Sequence, residues 1–144
     1  ASRYSTQEDP IRVVRAKHEN RRPKIFTEVD ETTYFTLEFP SGAIANGKTS
    51  FGESMNELRV DCSNGWYELK PFQSYRGVKG KTSDGIVLKL MQKNQQALQM
   101  DDDALAIINN KEVIVPGIDG LKDIAIVEAI LKSAETGNPI DLNL

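Results

Sequence analysis

The sequence has one cysteine and one histidine among its 144 residues, and it has no long apolar run. A single cysteine excludes a disulfide framework or a thiolate metal cluster within one chain. No segment approaches the ~18 apolar residues of a membrane-spanning helix. No strand pattern is followed by Gly-x-Gly-x-x-Gly, so the glycine-rich turn that holds dinucleotide phosphates is missing. These absences exclude a disulfide scaffold, a membrane span and a dinucleotide site of that type in these residues.

The net charge and the length of the chain further limit the class of protein. The net charge is −3, with 39% hydrophobic and 27% charged residues, which is ordinary for a globular domain. An acidic chain argues against a nucleic-acid-binding surface. The densest basic cluster, Arg21, Arg22 and Lys24, surrounds Pro23 and is interpreted as a solvated loop. We expect residues 1–144 to form a single domain.

The first two thirds of the chain have strand patterns. Phe35, Leu37 and Phe39 alternate with polar residues, which places them on one face of a strand. Pro40-Ser41-Gly42 follows as a turn, so residues 33–39 and 43–50 are predicted to form a hairpin. Asn64-Gly65 predicts a second hairpin, of residues 57–61 with 65–69. Several strands joined by short turns imply an antiparallel sheet.

The last third has helical periodicity. The first helix is predicted to bury Ala97, Met100, Ala104, Ile107 and Ile108, and the second to bury Leu121, Ile124, Val127, Leu131 and Ala134. Asp119 is predicted to be the N-cap of the second helix, and Gly137 to end it in the left-handed conformation. The fold class is therefore predicted as α+β: an open, mainly antiparallel β-sheet with helices packed on one face. We expect the other face to be available for oligomerisation.

Three further features have simple structural interpretations. Asp101, Asp102 and Asp103 point in diverging directions on a helix, so a solvated face is favoured over a metal site. Cys62 has no activating histidine nearby in sequence, and we expect a buried or partly buried structural residue rather than a nucleophile. Ser133 has no base beside it, and we expect it to pack near the end of its helix.

Short motifs along nearly the whole chain resemble one enzyme family. They include Phe39-Pro40-Ser41-Gly42-Ala43, Asn64-Gly65-Trp66-Tyr67, Ile108-Asn109-Asn110-Lys111, Pro116-Gly117 and Asp119-Gly120. In this order they resemble the C-terminal domain of the glucose–fructose oxidoreductase and inositol dehydrogenase (Gfo/Idh/MocA) family. Each motif is weak alone, whereas their order over the chain is fairly specific.

The resemblance implies a truncated C-terminal domain for substrate binding and oligomerisation. The parent would be an NAD(P)-dependent oxidoreductase that transfers hydride between a sugar or polyol and nicotinamide. In the family, the N-terminal Rossmann domain binds NAD or NADP, and the catalytic residues lie in segments that match no residue here. We therefore expect no catalytic residue, no bound cofactor and no activity in this chain alone. A homo-oligomer and a cytoplasmic location are the default expectations, although the family includes exported members.

Three residues are candidates for substrate binding. His18 is the only natural general base near neutral pH, and the resemblance places it where a family sugar enzyme has a substrate-side tyrosine. Trp66 and Tyr67 lie on a turn, where aromatic faces can stack on sugar C–H surfaces. The alternatives stay open: His18 at a solvated strand end, and one of the two rings in the core. A freestanding self-associating module or a carbohydrate-binding module also stays open.

Overall fold

The computed structural model describes residues 1–90 and 94–144, which contain three helices and eight strands. The helices are α1 (Ser2–Thr6), α2 (Gln95–Ile108) and α3 (Gly117–Thr136). The strands are β1 (Arg12–Glu19), β2 (Thr32–Glu38), β3 (Ile44–Ser50), β4 (Leu58–Cys62), β5 (Gly65–Leu69), β6 (Val78–Thr82), β7 (Val87–Leu90) and β8 (Ile140–Asp141). They form two compact units: unit 1 is residues 1–55 with 117–144, and unit 2 is residues 56–116.

Unit 1 contains a four-stranded antiparallel sheet, sheet A, in the order β3-β2-β1-β8. The predicted hairpin of β2 and β3 is confirmed. Helix α3 packs on one face of sheet A, mainly along β1. The core consists of Val13, Leu37 and Phe39 from the sheet side, with Ile126, Ala129 and Ile130 from α3. This packing leaves the opposite face of sheet A without a helix from unit 1.

Helix α3 does not bury the predicted stripe. Ile126, Ala129, Ile130 and Ser133 are buried, whereas Leu121 and Ile124 are 63% and 58% exposed. Val127 and Leu131, also predicted to be buried, are 49% and 39% exposed. Helix α3 has apolar residues on most of its sides, so periodicity alone does not predict which of two faces is buried. The prediction for Ser133 is confirmed, since it is fully buried.

The ends of α3 test two further predictions. Gly137 has φ of +71° and its N–H bonds to the Ser133 carbonyl at 2.9 Å, which confirms the left-handed end. The N-cap prediction for Asp119 is wrong, because α3 begins at Gly117 and Asp119 lies in its first turn. A carboxylate in the first turn still stabilises the helix through its dipole.

An aromatic–glycine contact joins β2 to β3. Phe35 lies opposite Gly47 in the register, and its ring covers that glycine. A Cβ built on Gly47 would lie 2.0 Å from the Phe35 Cζ atom, so another residue at this position would displace the ring. Phe35 also packs against the core cluster. The absence of a side chain at position 47 therefore lets the ring lie flat on the sheet.

Unit 2 contains a second antiparallel sheet, sheet B, in the order β4-β5-β6-β7. The predicted hairpin of β4 and β5 is confirmed. Asn94 caps α2, its side chain accepting from the Ala97 N–H at 3.1 Å. The predicted buried face of α2 is wrong at Met100, Ile107 and Ile108, which are 71%, 75% and 77% exposed.

The α+β class with open antiparallel sheets is confirmed, with the strands divided between two sheets rather than forming one. A role of the uncovered face in oligomerisation stays a prediction. No helix among the described residues combines the length and the apolar character needed to cross a bilayer.

Candidate functional site

His18 lies near the end of β1, directly opposite Thr33 of β2. Alternation along the strands places both on the same face of sheet A as Ala16 and Phe35, which pack against the core. About a third of the side chain is accessible, with a relative exposure of 29%. The position is therefore a strand end beside the core rather than a position inside it.

A chain of polar groups runs from His18 to a carboxylate. The His18 Nδ1 atom is 2.9 Å from Thr33 Oγ1, and the Thr33 hydroxyl donates to Asp30 Oδ2. Asp30 Oδ2 is 3.9 Å from His18 Nδ1. Thr33 is 5% exposed, so water has little access to the middle of this chain. We call His18, Thr33 and Asp30 the His18 relay.

The loop that carries Asp30 is anchored by the residue that follows it. Glu31 is 4% exposed and accepts from the backbone N–H and Nε of Arg22, both at 2.8 Å. Burial raises the pKa of Glu31, but these hydrogen bonds outweigh it and leave the pKa below its usual value. The Glu31 N–H donates to Asn20 Oδ1 at 2.7 Å. These bonds fix the loop on both sides of the β1–β2 connection and so position Asp30.

Trp66 and Tyr67 lie in unit 2 and are consecutive in β5, so their side chains point to opposite faces of sheet B. The Trp66 ring has Arg59 Cζ at 4.4 Å and Lys81 Nζ at 5.7 Å from its centroid. Tyr67 is opposite Val60 on the other face. The two rings therefore do not form one stacking platform, and His18 belongs to the other unit.

The helix-free face of sheet A is polar. Tyr34 lies at its centre, with Lys17 Nζ and Lys48 Nζ at 4.8 and 5.1 Å from the ring centroid. Thr36 donates to Asn46 at 2.9 Å on the same face. A groove of about 490 Å³ lies here, lined by Arg15, Lys17, Tyr34, Thr36 and Asn46 together with Ala16, Phe35 and Gly47. The two ammonium groups beside the ring make cation–π contacts with it, and Lys48 is also paired with Glu53 at 2.6 Å.

An ion-pair cluster that sequence reasoning missed joins α1 to α3. Arg3 donates to Asp9 at 2.7 Å, to Asp123 at 2.8 Å and to Asp119 at 3.0 Å. Lys122 also donates to Asp9, and these bonds, led by that from Lys122, lower the pKa of Asp9 although burial opposes them. Lys122 and Asp123 follow Asp119 by three and four residues along α3, which is the one sequence signal for such a cluster.

The remaining polar candidates show no catalytic arrangement. Cys62 is exposed, which corrects the expectation of a buried or partly buried residue; it ends β4 at a tight turn, where little covers it. Asp101 and Asp102 are exposed on α2, as expected for a solvated face, whereas Asp103 is half-buried. Within the described residues, no three histidine, cysteine or acidic side chains come together to hold a metal ion.

Comparison with known proteins finds a family model and solved structures that are similar to this chain. The family model for the oxidoreductase family, C-terminal alpha/beta domain (Gfo/Idh/MocA), matches residues 7–142. Aldose-aldose oxidoreductase from Caulobacter crescentus, solved with glycerol, is 35% identical with a TM-score of 0.89. The match covers 98% of this chain and 44% of that chain.

Two further structures share the fold. The myo-inositol 2-dehydrogenase from Lactobacillus plantarum is 23% identical over 99% of this chain and 45% of its own, with a TM-score of 0.74. The scyllo-inositol dehydrogenase from Lactobacillus casei, solved with NAD(H) and scyllo-inositol, is 17% identical over 97% of this chain and 44% of its own, with a TM-score of 0.70. The present chain thus spans less than half the length of each of these structures.

Proposed function

The chain belongs to the Gfo/Idh/MocA oxidoreductase family as its C-terminal α/β domain, and from this we propose that it binds the substrate of an NAD(P)-dependent oxidoreductase. The parent reaction would be hydride transfer to or from a sugar or polyol. The family match over residues 7–142, with 35% identity to an aldose-aldose oxidoreductase, carries this proposal. We treat residues 1–144 as one functional domain that lacks activity alone.

The described residues do not fit the dinucleotide themselves. Both sheets are antiparallel, and no described strand leads through a glycine-rich turn into a helix of a parallel βαβ unit. In a Rossmann unit, such a turn and helix N-terminus hold the phosphates of NAD or NADP. We therefore place the cofactor site in the part of the relatives' length that this chain does not match.

Within unit 1, His18 is the best-supported ligand contact. Its imidazole is partly exposed and held from behind by Thr33, which is the usual arrangement for a side chain that positions a ligand. Trp66 and Tyr67 remain proposed contacts, and the opposite directions of their rings mean that one sugar would stack on only one of them. The Caulobacter enzyme was solved with glycerol, which supports polyhydroxy compounds as the ligand class to test first.

Titration of the chain with glucose, glycerol and myo-inositol tests this function. We expect saturable binding by calorimetry that weakens in His18→Ala, and in one of Trp66→Ala or Tyr67→Ala. A flat response across all three compounds would remove the substrate-binding role. The parent activity is tested by assaying NAD(P)-dependent oxidation or reduction of the same compounds with the longest protein that the gene encodes.

We also propose that the helix-free face of sheet A binds a second copy of the chain. Tyrosine is enriched in protein interfaces, and Tyr34 lies at the centre of this face. Light scattering should show an oligomer that Tyr34→Glu shifts toward the monomer. Tyr75→Glu is the control, since Tyr75 is 76% exposed and lies in unit 2. An oligomer that neither substitution changes would place the interface elsewhere.

The alternative is a non-catalytic module that associates with itself or binds carbohydrate. It would be favoured by an oligomer with no dinucleotide or sugar binding, and by a gene that encodes no oxidoreductase domain. A cytoplasmic location accompanies the main proposal, and cell fractionation tests it.

A further inference from the structure

We propose that Asp30 and Thr33 are positioning residues that hold His18 as its Nδ1-protonated tautomer, so that Nε2 offers a lone pair to a ligand hydroxyl group. The identity of the ligand as a sugar or polyol rests on the proposed function. The tautomer follows from the geometry of the His18 relay alone.

The Thr33 hydroxyl has one hydrogen and therefore donates only one hydrogen bond. An ionised carboxylate only accepts, so the bond between Thr33 Oγ1 and Asp30 Oδ2 uses the single hydrogen of the Thr33 hydroxyl. The oxygen of Thr33 is then left with lone pairs only. The 2.9 Å contact to His18 Nδ1 is a hydrogen bond only if Nδ1 carries a hydrogen. A neutral His18 must therefore have its other nitrogen, Nε2, without a proton.

Strand pairing, an anchored loop and burial hold the His18 relay in one arrangement. Thr33 is paired on both sides, with His18 of β1 and with Thr49 of β3. Asp30 precedes Glu31, whose two carboxylate oxygens are both bound by Arg22. A hydroxyl buried at 5% exposure cannot readily exchange its partners for water. The direction of the two hydrogen bonds is therefore built into the fold.

The consequence is a defined polarity at the Nε2 end of the ring. Among residues 1–90 and 94–144, the polar contacts of His18 are on the Nδ1 side, with Thr33 at 2.9 Å and Asp30 at 3.9 Å. An unprotonated Nε2 accepts a hydrogen bond and therefore selects a ligand group that donates, such as a hydroxyl. The same position would disfavour a ligand in which that hydroxyl is replaced by hydrogen or an ether.

The test uses the fact that this chain has one histidine. Long-range ¹H–¹⁵N NMR of the uniformly labelled 144-residue chain at alkaline pH reports which ring nitrogen carries the proton. We expect Nδ1–H in the wild type. Thr33→Val removes the hydroxyl but keeps the β-branched shape, and should move the population toward Nε2–H, the form that free histidine favours in water. Thr33→Ser should restore the wild-type spectrum.

Thr36→Val is the matched control, since Thr36 is another buried threonine of β2 whose side chain points to the opposite face of sheet A. It should leave the His18 signals unchanged. An Nε2–H tautomer in the wild type would overturn the inference. So would a Thr33→Val spectrum that matches the wild type in a variant whose circular dichroism shows it folded.

Ligand titration in the same spectra separates this inference from the proposed function. Glucose, glycerol and myo-inositol should shift the Nε2 resonance of the wild type, with weaker binding to Thr33→Val. An Nδ1–H tautomer whose Nε2 signal ignores all three compounds supports the relay and overturns the ligand role of His18. Binding that persists with an Nε2–H tautomer overturns the relay and supports the proposed function.

Discussion

Replacing Arg3 with methionine should destabilise unit 1 by about 2–3 kcal/mol. The Arg3 side chain is 18% exposed and binds three aspartates, of which Asp9 is the least exposed at 30%. A charge-assisted hydrogen bond of the Arg3–Asp9 kind contributes ~1.5–3 kcal/mol. Asp119 and Asp123 are 41% and 65% exposed and regain water, so those two pairs add little, at the low end of the ~0.2–1 kcal/mol of exposed pairs. Methionine keeps the apolar stem and removes only the charged group.

The assay is urea unfolding followed by circular dichroism, with hydrogen exchange to locate the loss in unit 1. Trp66 fluorescence would report on unit 2 instead. A loss of this size corresponds to a melting temperature lower by roughly 4–12 °C, at about 2–4 °C per kcal/mol. Arg12→Met is the matched control, because Arg12 pairs with Asp141 where both side chains are largely exposed, at 47% and 72%. It should change the unfolding midpoint little. Equal losses in the two variants would refute the reasoning.

Three further outcomes follow from the structure. The pKa of Asp9 is lowered below its usual 3.8. The ionised carboxylate therefore contributes its full stabilisation above that value, and this contribution is lost as the pH falls through the folded-state pKa. In Asp9→Asn, the free energy of unfolding should depend less on pH in the acid range. Phe39→Ala should cost about 3–5 kcal/mol in urea unfolding, since Phe39 is 1% exposed, whereas Phe51→Ala at 76% exposure should cost little. Gly47→Ala should destabilise the fold by about 1–3 kcal/mol, because the new Cβ would overlap the Phe35 ring. Gly120→Ala should stabilise it by about 0.5–1 kcal/mol, because the position is in open space on α3 and alanine favours the helix. Two changes of the same sign in melting temperature would contradict this.

Local patterns predicted the hairpins well because their signals are short-range. Pro40-Ser41-Gly42 and Asn64-Gly65 specify turns through backbone geometry that depends on a few neighbouring residues. The buried face of α3 could not be chosen in the same way, because Leu121 and Ile126 are both apolar and only the sheet decides between them.

The candidate site was also only partly predictable from the sequence. His18 was identifiable as the single histidine, but its partners Asp30 and Thr33 are twelve and fifteen positions away in sequence. They meet it through the register of β1 with β2, which depends on the anchored loop between them. Trp66 and Tyr67 illustrate the opposite case. Both were candidates for substrate binding, and strand alternation points their rings to opposite faces of sheet B.

The apolar outer side of α3 has a practical consequence for the isolated chain. Leu121, Ile124 and Val127 present adjoining hydrocarbon to water while the other side of the helix is packed on sheet A. Contiguous exposed apolar surface promotes association between molecules as concentration rises. Recombinant preparations of the chain should therefore have a low concentration limit, above which folded molecules associate without unfolding. A charged residue at position 124 should raise that limit while leaving the melting temperature nearly unchanged.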